Sequence, residues 1–191
     1  IYVGDLPVSQ LKFHIFLRKP IKTVDDLKNM KIRVFPAIAP AIKALGGNPV
    51  VLPMPQIYTA MERGVVSGFV TGVSGVAKKY KEVLGAYIEP GFYRATFHFL
   101  VNPKSWAKVP AATRAKVINF VRNVDPPTYE AGWNPALQSG YADLKKGGIK
   151  TIKFSSEVAA KFKKTVLDAA WSAVRKKAPK EGKILQKMLM K

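Results

Sequence analysis

At 191 residues and 48% hydrophobic content the chain is long enough for one large domain or two small ones around a packed core, and its apolar runs break well before the roughly 20 residues that a bilayer-crossing helix needs. The absence of cysteine excludes disulfides, thiolate nucleophiles and cysteine-ligated zinc. A net charge of +20 admits nucleic acid or an anionic surface as partner, yet the basic residues are dispersed in singles, pairs and short clusters such as Lys78-Lys79 and Arg175-Lys176-Lys177, as on solvated helix faces.

Ile1-Tyr2-Val3-Gly4 reads as a strand. It lacks an initiator Met and a secretory leader, so the chain is expected to start within a longer protein whose signal is absent or removed. Residues 11–17 form a second strand, and Thr23 stands as N-cap before the acidic first turn Asp25-Asp26. A strand over 31–35 leads to a helix over 36–45 that stops at Gly46-Gly47. A strand over 49–52 follows, then the turn Pro53-Met54-Pro55, a helix over 56–63 ended by Gly64, an apolar stretch over 65–71 and one or two helical turns over 77–84. The run 92–101 places Arg94, Thr96 and His98 on one face and Ala95, Phe97 and Phe99 on the other, and its length suits a strand that links two sheets.

From Asn102 the pattern becomes helical. Asn102-Pro103 caps a first helix, residues 110–122 are amphipathic with Val117, Ile118 and Val121 expected inward, and Asp125-Pro126-Pro127 punctuates before the helix resumes ahead of Trp133-Asn134-Pro135. After Gly147-Gly148 comes a short strand, 149–154. Ser155 then opens one long closing helix with Val158, Phe162, Val166, Ala169 and Ala173 at near-helical spacing. Strands alternating with helices imply an α/β fold.

Three segments in order, Asp26-Leu27-Lys28-Asn29-Met30-Lys31-Ile32-Arg33-Val34, Ala44-Leu45-Gly46-Gly47-Asn48-Pro49-Val50 and Ile57-Tyr58-Thr59-Ala60-Met61-Glu62-Arg63-Gly64-Val65-Val66-Ser67-Gly68, resemble the substrate-binding component of tripartite ATP-independent periplasmic (TRAP) transporters. The resemblance continues through Phe99-Leu100-Val101-Asn102-Pro103-Lys104-Ser105-Trp106 and into the segment from Phe162 to Lys187, so it covers nearly the whole chain. It implies an α/β fold of two lobes joined by crossing hinge strands, incomplete here at the N-terminus because family proteins are longer. Residues 1–10 would be a remnant of the hinge and first lobe, 11–98 and 139–191 the second lobe, and 99–138 the return to the first. It also implies a periplasmic protein that captures a small organic carboxylate between the lobes and hands it to membrane subunits, without catalysis or cofactor.

Through that resemblance Arg33 is the carboxylate anchor, since the Arg of the Lys-Ile-Arg-Val strand pairs with the substrate in this family. The residue chemistry agrees: a planar guanidinium offers two parallel hydrogen bonds to a carboxylate, and ligands of open α/β sheets gather at the carboxyl ends of strands. The competing reading is an ordinary ion-pair residue. Charge reversal, Arg33→Glu, is expected to abolish acid binding and leave the fold intact. Thr71 stands where the family's polar run carries a ligand-binding Asn, a departure that favours a less polar acid. Phe35, Met54 and Phe69 are candidate apolar walls, with ordinary core packing as the alternative. Tyr58 and Tyr93 are further candidate contacts. His14 and His98, the two histidines, lack metal-ligand spacing and read as structural.

Two other functions remain in view. A nucleic-acid-binding module would suit the charge, but the chain has no aromatic RNP strand, zinc finger or basic recognition helix. An α/β enzyme would suit the cleft, but neither a phosphate-cradling glycine loop nor a convincing nucleophile, base and orienter set occurs. If part of a lobe is missing, the exposed apolar surface is expected to encourage association.

Overall fold

A computed structural model describes residues 1–190 except Pro7, Ser9 and Ala95, and of Asp125 the backbone alone. The strands are Tyr2–Leu6 (β1), Lys12–Leu17 (β2), Lys31–Val34 (β3), Asn48–Val51 (β4), Gly68–Thr71 (β5), Ala86–Glu89 (β6), Tyr93–Arg94 (β7), Phe97–Leu100 (β8) and Lys150–Lys153 (β9). The α-helices are Ala39–Ala44 (α1), Ile57–Glu62 (α2), Val76–Tyr80 (α3), Pro103–Ala107 (α4), Ala111–Asn119 (α5), Asp125–Lys146 (α6), Ser156–Lys177 (α7) and Pro179–Leu189 (α8). Single 3-10 turns open or extend several of them, and a π-helical segment, Phe120–Val124, joins α5 to α6.

The strands build a seven-stranded sheet in the order β4-β3-β5-β2-β6-β9, with β7 added on β2, and a separate antiparallel pair, β1 and β8. In the large sheet β3 runs parallel to β4 and β5, and β6 parallel to β9. The reversed strand β2 lies antiparallel between β5 and β6. The N-terminal end of β2 therefore meets the carboxyl ends of the parallel strands at one edge of the sheet.

Alternation of side chains sorts the core onto two faces. One face carries Phe16, Phe69 and Tyr87 beneath Ile57 and Met61 of α2, Val76 and Tyr80 of α3, and Leu137 and Leu144 of α6. The other carries Ile15, Ile32, Val34, Val70 and Ile88 beneath Ile42 of α1 and Phe162 and Val166 of α7. The result is a helix–sheet–helix sandwich, as the alternation of strand and helix signals implies. Gly68 is required at the crowded centre, because a Cβ there would lie 2.4 Å from the Phe16 carbonyl oxygen.

The chain crosses between the sheets within 92–101, but not as one strand. Tyr93–Arg94 pairs with β2, while Phe97–Leu100 pairs with β1. Ala95, assigned above to one face of that run, lies outside the described residues. Helix α6 makes the second connection. In its middle Trp133 stacks on Phe97 with ring centroids 6.0 Å apart, and about one and three turns further on Leu137 and Leu144 enter the core of the large sheet.

Several expectations are corrected. The prolines at 126 and 127 do not punctuate but occupy the first turn of α6, where a missing N–H costs nothing, and Pro135 sits inside that helix. Of Val117, Ile118 and Val121 only Val121 is buried, because the π-helical segment rather than α5 packs on β1, with Val121 against Gly4. The closing helix is two helices, broken at Ala178 before Pro179. Thr23 precedes a 3-10 turn, Val24–Leu27, rather than an α-helix. Strand β6, bounded by Gly85 and Pro90, is an addition that the sequence reading passed over. Asn102 and Ser155 cap α4 and α7 as expected, accepting from Lys104 and Ser105 and from Val158 respectively.

His14 on β2 is 2% exposed and ties α6 to the sheet. Its Nδ1 lies 2.9 Å from the Ile88 carbonyl oxygen, which only accepts, so Nδ1 carries the proton and donates. Nε2 then accepts from the Tyr141 hydroxyl at 2.8 Å. Burial holds the imidazole below its ordinary pKa; the Ile88 carbonyl and Glu89 oppose this, and Lys12 adds to it. Burial, with Glu89 and Tyr87, pushes the Tyr141 hydroxyl up to about 12, so it stays a donor. With the folded pKa below the unfolded one, the unfolded chain takes up the proton first. The neutral imidazole's contribution is thus complete above about pH 6.5 and is lost as pH falls toward the folded pKa. Thermal melting should show a stability decline below neutrality that His14→Gln removes; an unchanged pH dependence in that variant would exclude the pairing.

Candidate functional site

Arg33 lies in a single cross-sheet row, Val50, Arg33, Phe69, Phe16, Tyr87, Thr151, in which each residue registers with the next. A charge therefore occupies a place that alternation would give to a core residue, and Arg33 is only 2% exposed. The side chain escapes the core by reaching toward the carboxyl ends of β3 and β4. Its Nε donates to the Leu52 carbonyl at 2.8 Å, Nη1 donates to the Met54 sulfur at 3.3 Å, and Cζ lies 4.2 Å from the centre of the Phe35 ring. These are a backbone dipole, a soft acceptor and a π face, each favourable to a cation.

Among the described residues no carboxylate joins them. Among the described residues the ion pairs are Lys28 with Asp25 and Lys164 with Asp168, both exposed. Among the same residues Nη2 has no hydrogen-bond partner, and it is not one of the fully enclosed unpartnered atoms. The guanidinium is thus fixed by Nε and Nη1 and open at Nη2. Burial draws its pKa below the ordinary value for arginine, with Tyr80 opposing. Loss of water makes an incoming anion at that open corner more valuable than it would be on the surface.

The other candidates fall into three groups. Phe35 and Met54 touch the guanidinium directly, and Met54 is partly exposed. Tyr93 joins through Phe13, whose ring lies 5.7 Å from Tyr93 and 6.1 Å from Phe35, so an aromatic line extends from Arg33 along the sheet edge. Thr71, at the carboxyl end of β5, is half-buried opposite His14. Phe69 is fully enclosed, stacked on Phe16 at 5.3 Å and packed on Tyr80 at 4.9 Å, so it forms the floor under the guanidinium and not an exposed wall. The Tyr58 hydroxyl donates to Glu82 at 2.6 Å, tying α2 to the turn Lys81–Val83, and no described contact joins it to Arg33. His14 is structural as expected. His98 is on β8, and no group of His, Asp and Glu among the described residues could hold a metal ion.

Two residues were missed. Phe13 was read only as part of a strand, although its position at the start of β2 places it at the same sheet edge as Phe35 and Arg33 once β2 is known to be reversed. Tyr80, on α3, packs over Phe69; burial raises its hydroxyl pKa, so it remains a protonated donor beside the guanidinium.

The sequence profile of bacterial extracellular solute-binding protein family 7 matches residues 11–177. The monocarboxylate 2-oxoacid-binding periplasmic protein of Nostoc sp. strain PCC 7120 is 27% identical over 169 residues, covering 80% of this chain and 43% of the relative. Among solved structures, a TRAP periplasmic solute-binding protein from Desulfovibrio salexigens with bound orotic acid superposes with a TM-score of 0.88 at 22% identity, covering 98% of this chain and 60% of that one. A counterpart from Citrobacter koseri with bound D-glucuronate gives 0.80 at 20% identity, covering 96% and 60%. The chain therefore spans less than two thirds of these relatives, and the structural likeness shows the fold.

The enclosure of Arg33 revises the expectation for charge reversal. A glutamate there would be a buried, unpaired anion and should cost the fold about 3–5 kcal/mol, so Arg33→Glu confounds binding with stability. Arg33→Met removes the charge and keeps the volume. Its unfolding free energy should stay within about 1.5 kcal/mol of wild type in denaturant titration. A loss above about 3 kcal/mol would make the guanidinium a structural strut.

Proposed function

The chain belongs to bacterial extracellular solute-binding protein family 7, and from that premise we propose that it binds a small organic monocarboxylate through Arg33 and passes it to the membrane subunits of a TRAP-type transporter. The observation that carries this reading is a buried guanidinium, secured on two of its nitrogens, with no carboxylate partner among the described residues. The ligand carboxylate completes the cation, accepting from Nη2 with the Tyr80 hydroxyl as second donor. The apolar body of the acid lies along Phe35, Phe13 and Tyr93, with Thr71 supplying the polar contact at the far strand end. An aromatic edge with one fixed cation favours an acid with a single charge and a planar or aliphatic body over a polyhydroxylated one.

The names of the relatives support the class, since a 2-oxoacid, orotic acid and D-glucuronate are all carboxylates. We assign residues 11–98 and 139–191 to the lobe that carries the anchor, and 1–10 with 99–138 to the opposing lobe. Closure of one on the other around the acid is the signal that the membrane subunits read, in the periplasm. Binding in this reading is reversible capture without chemistry, and no cofactor takes part.

The test is calorimetric titration of the chain with 4-methyl-2-oxopentanoate, orotate and D-glucuronate at physiological salt. A monocarboxylate with an apolar or planar body should bind saturably, the corresponding neutral amide about 100-fold more weakly, and Arg33→Met should abolish binding while Tyr80→Phe weakens it about tenfold. Equal affinity for acid and amide, or full affinity in Arg33→Met, would overturn the assignment.

A further inference from the structure

Helix α8 carries the strongest unused feature of the molecule. Ile184, Leu185, Met188 and Leu189 follow the i, i+1, i+4, i+5 pattern that lines one side of a helix, and their exposures are 60%, 46%, 65% and 71%. The strip next to Leu189 is spent on the protein: Gly182 is buried where α8 meets α7, close enough that a Cβ would lie 3.2 Å from the Arg175 Cα, and Gln186 accepts from the Arg175 guanidinium. The arc beside the apolar one carries Lys180, Lys183 and Lys187, all exposed. Glu181, in the first turn, is the single carboxylate of the helix and heads the apolar face, one turn before Ile184 and Leu185.

We propose that α8 docks the protein on a bilayer surface rich in anionic lipid. An exposed apolar arc flanked by lysines is the pattern of a helix that lies in the plane of a membrane interface, with its apolar side chains among the acyl chains and the ammonium groups reaching back to the phosphates. Between 175 and 187 six basic residues stand against one acidic, Glu181, so the surface around the arc demands a negative partner. That same charge argues against a second copy of the chain. A two-fold contact through α8 would set Lys180, Lys183 and Lys187 against the same residues of the mate. The arc is also convex and only two side chains wide, a shape that inserts between lipids and offers no groove to a protein helix. The inference is independent of the carboxylate site, which lies on different elements.

The experiment is co-sedimentation of the chain with phosphatidylcholine vesicles, with and without phosphatidylglycerol, at about 0.15 M salt. The protein should pellet with the anionic vesicles and not with phosphatidylcholine alone. Replacing Ile184→Gln together with Leu189→Gln, both exposed and therefore harmless to the melting temperature, should reduce the partition about tenfold or more. A control pair on α4, Lys104→Ala with Lys108→Ala, should leave it unchanged. Failure to bind anionic vesicles overturns the proposal. So does a glutamine double variant that pellets like wild type, since that outcome is adsorption by overall charge. A dimer in light scattering that the glutamine variant loses, without vesicle binding, would identify a second copy as the occupant.

Discussion

A guanidinium placed in a core row of a β-sheet, with no anion beside it among the described residues, is the constraint around which the carboxyl edge of the large sheet is organised. Removing such a charge from water is costly unless its protons are shared out, and each available acceptor here depends on the fold. The Leu52 carbonyl reaches Nε because β4 runs parallel to β3 and ends level with it, at Val51 opposite Val34, so that Leu52 follows at the strand end. The Met54 sulfur arrives because Pro53 turns the chain sharply into α2. Phe35 covers the flat face of the cation as β3 gives way to the turn Pro36–Ile38. Two nitrogens are satisfied by this arrangement, and the third has no partner among the described residues.

The floor beneath the cation is equally determined. Phe69 registers with Arg33 on one side and Phe16 on the other, and Tyr80 closes over it from α3. Gly68 allows β5 to sit close between its neighbours, so that the aromatic stack meets the guanidinium without a gap. Packing, strand register and the pre-set direction of the Arg33 side chain are thus one property seen at three levels. Groups held in this way need little further ordering to engage an anion, which is the condition for losing little entropy on binding.

Much of this was legible in the residues, and the failures have physical causes. The Lys-Ile-Arg-Val strand and the helix stops at Gly46 and Gly64 could be read locally, because strand alternation and glycine chemistry act over a few residues. The partners of Arg33 could be guessed where they lie close after a strand, as with Phe35 and Met54. Phe13 could not, since its place at the site follows from the reversal of β2, a fact of topology and not of local pattern. Phe69 was open between pocket wall and core, and its enclosure beneath Tyr80 gives the core reading, since which helix covers a strand residue is again a matter of topology. Pro135 misled because the proline rule describes the lost hydrogen bond and not the packing of Trp133, Leu137 and Leu144 on either side, which holds α6 together across it. Val117 misled because an amphipathic pattern predicts a buried face only where a second layer exists to bury it.

Gly140 has a mechanical consequence. A Cβ at that position would come within 2.9 Å of the Val73 carbonyl oxygen, so the backbone of α6 touches the loop after β5 directly. Two turns earlier the same helix is fastened to the small sheet by Trp133 on Phe97, and between the two fastenings lies Pro135. Backbone seated against backbone acts as a key in a slot: it blocks rolling about the axis and sliding along it. Any torque applied to the small sheet must then emerge as bending at the proline, which makes α6 a lever with one fixed end.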